Sequence, residues 1–269
     1  MFLLTLMERV EECGELVSVC LNNFQKKPFT VKKDIYNRLL NTLTQRGESP
    51  SLIYSLLSRY NALEGLGFQA GVPDAVFDAL VKHVSVTTEC FASPLNNYLD
   101  RYCSAFPDID CAFGSLGSFF NLEIIEGSFQ ANPPFTQTIM DRAYKKIHDA
   151  LTNPLSGALS FAVIVPAWRL EVAWNNLISS PFNKMVVNVP ALEHGYKNGG
   201  FRVNKYFAAQ YDTSVVFLQN DLGSKRWPLT EECSSDIVSA FREGLPSIDV
   251  IKGIQMRGVY VPKSQREKR

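Results

Sequence analysis

Leu159-Ser160-Phe161-Ala162-Val163-Ile164-Val165 runs straight into Pro166-Ala167-Trp168-Arg169. The seven-residue segment is almost wholly apolar and too short for a helix that would be apolar on every side. That length and texture predict a strand covered on both faces, the kind found in parallel sheets flanked by helices. Two similar runs follow, Met185–Val189 and Ser214–Leu218 (SVVFL). Upstream, Phe135, Ile139, Ala143, Ile147 and Leu151 recur every four residues, the stripe of a core-facing helix. Helix signals return over Thr230–Arg242. Strands alternating with helices predict an α/β sheet between helical layers. In such sheets ligands sit at the carboxyl ends of the strands, which directs attention to ASPLN (92–96), FGSLGSF (113–119), NPPF (132–135), PAWR (166–169) and EHGY (193–196).

Further out, residues 1–90 read as helical. Phe2, Leu6, Val10, Leu16 and Cys20 roughly follow one stripe, Ile35, Leu39, Leu40 and Leu43 a second, and Leu52, Ile53, Leu56, Leu57 and Tyr60 a third. Pro73 opens a fourth helix with Phe77, Leu80, Val81 and Val84 on one face. Val84–Ala92 reads as a strand and Asn97–Ala105 as a short helix. The texture change near residue 85 divides the chain into a helical accessory region, 1–85, and a sheet domain, 86–269.

The 269 residues carry 27 basic and 27 acidic side chains, so the net charge is zero and a non-specific nucleic-acid coater is excluded. No run approaches the ~18 apolar residues of a membrane span. The start, MFLLTLMERVEE, has too short an apolar stretch for a secretory signal and no basic region before it; it reads as a helix, and the protein as intracellular. Six cysteines occur with no CxxC, and three histidines stand far apart, so neither a zinc site nor a disulfide framework is indicated, and no metal is expected.

Asn132-Pro133-Pro134-Phe135 lies between a strand-like Ser128–Ala131 and a helix expected to begin near Pro134 or Phe135. Two successive prolines stiffen the backbone and remove two N–H donors, and the preceding Asn is driven out of helical conformation. The loop offers an amide side chain, open carbonyls and an aromatic ring. It resembles the [N/D/S]-P-P-[Y/F/W] loop of amino-methyltransferases. The exocyclic amine of adenine is a poor nucleophile because its lone pair is delocalised into the ring. Hydrogen bonds from its two N–H groups to the Asn oxygen and the first Pro carbonyl would draw it toward tetrahedral geometry. Phe135 could stack on the base, worth roughly 1–3 kcal/mol.

The wider series ECFASPLN (89–96), YCSAFPDID (102–110), FGSLGS (113–118), GSFQANPPF (127–135), LSFAVIVPAWR (159–169), VPALEHGYKNG (189–199) and VVFLQND (215–221) occurs in this order. Together these motifs resemble the catalytic region of the phosphorylated-CTD-interacting-factor family, over roughly residues 75–230. The resemblance implies a Rossmann-like class I methyltransferase sheet with an N-terminal helical region, S-adenosyl-L-methionine as cofactor, and capped RNA as partner, with N6 of the cap-adjacent 2′-O-methyladenosine as the target. It implies the nucleus as compartment, with the cytoplasm as alternative.

By the same resemblance Asn132, Pro133, Pro134 and Phe135 are catalytic and touch the cofactor. Ala92, Ser93, Pro94, Leu95 and Asn96 replace a glycine-rich first loop, and Gln137 takes a position near the cofactor. Trp168 and Arg169 match a pair at the cap-side nucleotide, and Glu193 and His194 an acid–histidine pair near the site. Departures fall at Gln130, Gln137 and Ala167, where the family carries acids. No WW-type module with two spaced tryptophans is seen, so no direct grip on a polymerase tail is expected. Gly114 and Gly117 fit either a cofactor pocket or a plain turn, and Ser115 between them is a cofactor-contact candidate. Glu123, Glu126, Asp108 and Asp110 are all candidates for holding the cofactor ribose. Arg169 suits a phosphate or cap contact, or a surface ion pair, and the terminal Lys263, Arg266, Lys268 and Arg269 RNA phosphates or solvent. Rival readings are an adenine methyltransferase on internal RNA or DNA, and an inactive cap- or RNA-binding relative.

Overall fold

The computed structural model of the chain describes residues 8–21, 28–63, 71–197 and 206–245. It opens not with a helix but with an antiparallel meander, β1 (Glu8–Cys13), β2 (Leu16–Leu21) and β3 (Phe29–Lys32). The helical expectation for this stretch is corrected, and the reason is period. Val17 and Val19 alternate with exposed or half-exposed neighbours and are buried together with Val31, which is strand spacing. Gly14 turns the first hairpin at φ +63°, a conformation that suits glycine. Phe2, Leu6 and the basic tail at 263–269 lie outside the described residues.

Three helices follow: α1 (Lys33–Arg46), α2 (Leu52–Ala62) and α3 (Asp74–Val84). The anticipated stripes bury Leu39 and Leu43 on α1, Ile53, Leu56, Leu57 and Tyr60 on α2, and Phe77, Leu80 and Val84 on α3; Val81 is exposed. The meander packs against α1 and α2 in one apolar cluster that also takes in Leu95, Ile109 and Phe113.

The remaining elements are β4 (Thr88–Glu89), β5 (Arg101–Tyr102), α4 (Pro107–Asp110), β6 (Gly127–Ala131), α5 (Gln137–Thr152), β7 (Leu159–Pro166), α6 (Val172–Ile178), β8 (Asn183–Val189), β9 (Gly195–Lys197), β10 (Tyr206–Ala208), β11 (Thr213–Gln219), α7 (Asp221–Arg226) and α8 (Glu231–Arg242). The strand expected over 84–92 shrinks to two residues. The helix expected over 97–105 is instead the short parallel strand β5, tied to β4 by Cys103 N–H donating to Glu89 O. Helix α5 begins two residues beyond Phe135, where Thr136 caps it by accepting from Ile139 N–H.

Six strands form the main sheet in the order β5-β4-β6-β7-β11-β8. The pairs among β5, β4, β6 and β7 are parallel, and β11 runs antiparallel between β7 and β8. All eight residues of β7 are buried. Its alternate side chains serve two layers: Ala162 and Ile164, with Val215 and Phe217 of β11, meet α3 and α8, while Phe161, Val163 and Val165, with Val216 and Leu218, meet α5 and α6. Burying each of the Val, Ile, Leu and Phe side chains contributes about 1.5–3 kcal/mol. Although α3 precedes residue 85, it belongs to the sheet's own core. No helix among the described residues is long and apolar enough to cross a membrane.

Candidate functional site

The topology predicts where a ligand would go. From β4 the chain moves outward to β5, then crosses back to β6 on the other side of β4. The strand order reverses between β4 and β6, and their carboxyl-end loops part there, leaving the crevice used by doubly wound sheets. A cavity of about 290 Å³ opens at this point, lined by Cys90–Ser93 and Asn96 after β4 and by Asn132–Pro134 after β6. That is close to the small end of ligand pockets, about 300 Å³.

The loop after β4 holds its shape without glycine. Asn96 Oδ1 accepts from both the Ser93 N–H and hydroxyl at 2.8 Å, which closes the loop on itself. Leu95 is buried in the cluster beneath α1 and α2. Arg38 of α1 then clamps the loop from outside, donating to Pro94 O (3.0 Å), Asn97 O (3.2 Å) and Asn97 Oδ1 (2.7 Å). Ala92, Ser93 and Asn96 therefore face the cavity, whereas Pro94 and Leu95 are the loop's anchors.

In the second loop, Thr136 N–H donates to Pro134 O at 2.7 Å, and Pro133 O takes no backbone hydrogen bond among the described residues. Asn132, Pro133 and Pro134 line the cavity. Phe135 turns to the other side, where Tyr196 and Tyr211 meet its ring at 5.8 and 5.9 Å and steep angles. Trp168, on the loop after β7, reaches the same Tyr211 at 6.2 Å. The NPPF elbow thus separates a cavity from an aromatic cluster. Trp168 Nε1 is buried with no hydrogen-bond partner among the described residues. Arg169 is mostly exposed, with Asp212 only loosely paired at 3.9 Å.

Several expected site residues lie elsewhere. Gly114, at φ +98°, ends a 3-10 turn, and Ser115 braces Ser104 through a 2.6 Å hydroxyl contact; only Ser104 of these lines the cavity. Gln137, with its amide orientation assigned from the hydrogen-bond network, ties α5 to Glu171 Oε2 and Ala173 N–H at 3.0 Å each. Glu193 is an exposed residue 3.6 Å from Arg242. His194 is fully buried: its Nδ1–H donates to Pro190 O and its Nε2 accepts from Thr213, both at 2.7 Å. Burial pushes its pKa down to about 4, so the fold holds the ring neutral. None of the proposed ribose acids borders the cavity: Asp108 pairs with Arg59, Asp110 accepts from the Tyr60 hydroxyl at 2.6 Å, Glu126 pairs with Arg226, and Glu123 is exposed.

What sequence reasoning missed is the cavity's floor and wall. Glu89, the last residue of β4, is 3% exposed, lines the cavity, and accepts from Tyr98 and Leu99 N–H at 2.7 Å. Burial raises its pKa to about 7 against those two hydrogen bonds. In register beside it on β6 stands Gln130, 1% exposed, also lining the cavity, whose Oε1 has no partner among the described residues. Phe91, Phe119 and Phe120 pack ring to ring at 5.1–5.9 Å as an apolar wall. The signals in the sequence were Glu89's place at a strand end ahead of a loop and Gln130's place where the family carries an acid.

The Phe91–Phe119–Phe120 wall, the buried acceptor Gln130 Oε1 and the rigid elbow suit a nucleoside-bearing ligand that donates hydrogen bonds. A six-stranded sheet of this order with NPPF at its switch point defines a Rossmann-like α/β domain of the methyltransferase type. The family profile described as "Phosphorylated CTD interacting factor 1 WW domain" matches residues 33–199. The chain belongs to this phosphorylated-CTD-interacting-factor family. It is 35% identical over 247 residues to a Homo sapiens protein named mRNA (2′-O-methyladenosine-N(6)-)-methyltransferase, covering 86% of this chain and 34% of that protein. The Mus musculus protein of the same name is 36% identical over 206 residues, covering 71% and 29%. The chain spans about a third of the length of the curated relatives it matches.

Proposed function

We propose that this chain is an S-adenosylmethionine-dependent methyltransferase acting on N6 of adenine in capped RNA, at the 2′-O-methyladenosine beside the cap. The observation that carries the reading is the NPPF elbow, placed between a nucleoside-sized cavity and an aromatic cluster. Asn96, Ser93, Ala92 and the Phe91–Phe119–Phe120 wall would hold the cofactor, together with Asn132–Pro134. When bound, the cofactor supplies a sulfonium methyl as electrophile. The Asn132 side-chain oxygen and Pro133 O accept the two N–H bonds of the substrate amine and aim its lone pair toward the cavity. Phe135, braced by Tyr196 and Tyr211, stacks on the target base. Positioning then supplies most of the rate, and no strong base is needed, because the amine becomes acidic only as the methyl arrives. An unpaired terminal nucleotide needs no duplex opening. The nucleus is the proposed compartment, on resemblance alone.

Capped transcripts beginning with A or G, incubated with labelled methyl donor, test the reading. Transfer is expected on A alone, and greater with the cap than without it. Asn132→Ala should lower turnover by about a hundredfold or more with unchanged circular dichroism. Equal labelling of A- and G-start RNA would discard the adenine assignment.

A further inference from the structure

Two loops border the aromatic cluster, the NPPF elbow and the loop after β7, and the Gln137 amide joins them. The loop after β7 is built as one unit with α6. Glu171 N–H donates to Trp168 O at 2.8 Å, and Asn175 Nδ2 of α6 donates to Arg169 O and Glu171 O at 3.0 and 3.1 Å. That unit presents Trp168 to Tyr211, which also meets the Phe135 ring. Yet α6 does not cap itself: Glu171, its N-cap residue, makes no side-chain capping bond. The first turn of a helix leaves N–H groups that need outside acceptors. One of these, Ala173 N–H, is taken by the Gln137 side-chain oxygen at 3.0 Å, and the Gln137 amide nitrogen donates to Glu171 Oε2 at 3.0 Å. Gln137 is the first residue of α5 and stands two positions beyond Phe135. Both ends of one amide are thus committed to the start of α6, from a backbone that continues straight out of the elbow. Neither Gln137 nor Glu171 lines the cavity.

We propose that Gln137 and Glu171 are a positioning pair that holds the loop after β7 against the NPPF elbow, so that the RNA meets Phe135 and the Trp168 loop as one preassembled surface. This rests on the RNA-methyltransferase reading of the site. An amide suits the task because it donates and accepts in one group. A carboxylate at position 137 would still accept from Ala173 N–H but would face Glu171 as a like charge, and an apolar side chain would do neither. The ring contacts through Tyr211, at 5.9 and 6.2 Å, tolerate sliding that two short hydrogen bonds forbid. A loop already ordered in the free protein has no ordering cost left to meet when substrate binds. The fold does not hang on the pair, because Met140 and Ala143 of α5 share a buried cluster with Ala173 and Leu177 of α6, and Asn176 donates to Asp141 at 3.3 Å.

Methyl transfer to capped, A-start RNA is compared in the wild type, Gln137→Glu, and the exchanged double variant Gln137→Glu with Glu171→Gln. The single variant should raise the KM for RNA about tenfold and change kcat at saturating RNA by less than about twofold. Its affinity for S-adenosylhomocysteine, measured by calorimetry, should stay within about twofold of wild type. The exchange restores both bonds with the roles reversed: the amide at position 171 donates to the carboxylate at position 137, which still accepts from Ala173 N–H. The double variant should therefore return the RNA KM to within about threefold of wild type, a rescue that a general loss of stability would not give. An unchanged RNA KM in Gln137→Glu, a loss that the exchange does not repair, or an equal loss of S-adenosylhomocysteine affinity would overturn the positioning role while leaving adenine methylation intact. A wild type that labels no capped A-start RNA would overturn the RNA-methyltransferase reading and the pair's role with it.

Discussion

His194 shows how a residue singled out for chemistry can be spent on structure. Its ring is packed against Tyr196 and Phe241, and its two nitrogens are committed to Pro190 O and the Thr213 hydroxyl, which in turn contacts the Tyr196 hydroxyl at 2.7 Å. Only the acceptor role of Nε2 requires the neutral ring; the bond to Pro190 O favours the charged form, and burial outweighs it. The folded pKa lies near 4, below the ordinary 6.5, so between these values the unfolded chain takes up a proton that the folded chain refuses. Stability therefore falls as pH drops through this window, by about 2 kcal/mol at pH 5 from this group. Denaturant titrations at pH 7 and pH 5 should show the wild type losing about that much more than His194→Gln. Identical pH slopes would mean that the ring is not held neutral.

At the scale of elements, the loop after β4 is shaped by α1 as much as by its own sequence. Arg38 joins three acceptors across more than fifty residues of chain, and its planar fork does this in one rotamer, which a lysine cannot. Arg38→Ala should speed amide exchange over Ala92–Asn97 and raise the KM for the methyl donor by about tenfold, with a smaller change in kcat. Arg38→Lys should fail to restore either. Unaltered exchange in that segment would mean that the clamp does not hold the loop. Nothing in residues 92–96 announces this dependence, since ASPLN closes on itself through Asn96 and reads as a self-sufficient turn.

For the molecule as a whole, the central question is whether the N-terminal elements form an appendage or part of the core. Helix α3 is part of the core through Val76, Phe77 and Leu80, which share one cluster with Ile164, Phe217 and Phe241, whereas the meander, α1 and α2 pack in a cluster of their own. Lys82 adds contacts to Glu232 and Asp236 of α8, but these are surface pairs of small worth. Leu80→Ala should cost about 2–5 kcal/mol. Its unfolding should stay a single transition, with the fluorescence of Trp227, a member of the same cluster, and circular dichroism changing together. A separate early transition would show α3 to be an appendage.

What the residues determined unaided was local and periodic. The apolar run of β7, the four-residue stripe of α5 and the two prolines of the elbow each act within a few positions, so strand, helix and stiff loop were legible, and with them the α/β class. The meander was misread because its valines are few and its decisive feature, one face packed on α1 and α2, is a tertiary fact. The cavity floor was decided only on folding. Glu89 and Gln130 lie forty-one residues apart and become neighbours solely through the register of two parallel strands, and Arg38 reaches its loop across a helix interface. Side-chain polarity can be read along a chain, but which polar groups share one buried space depends on how the strands are ordered.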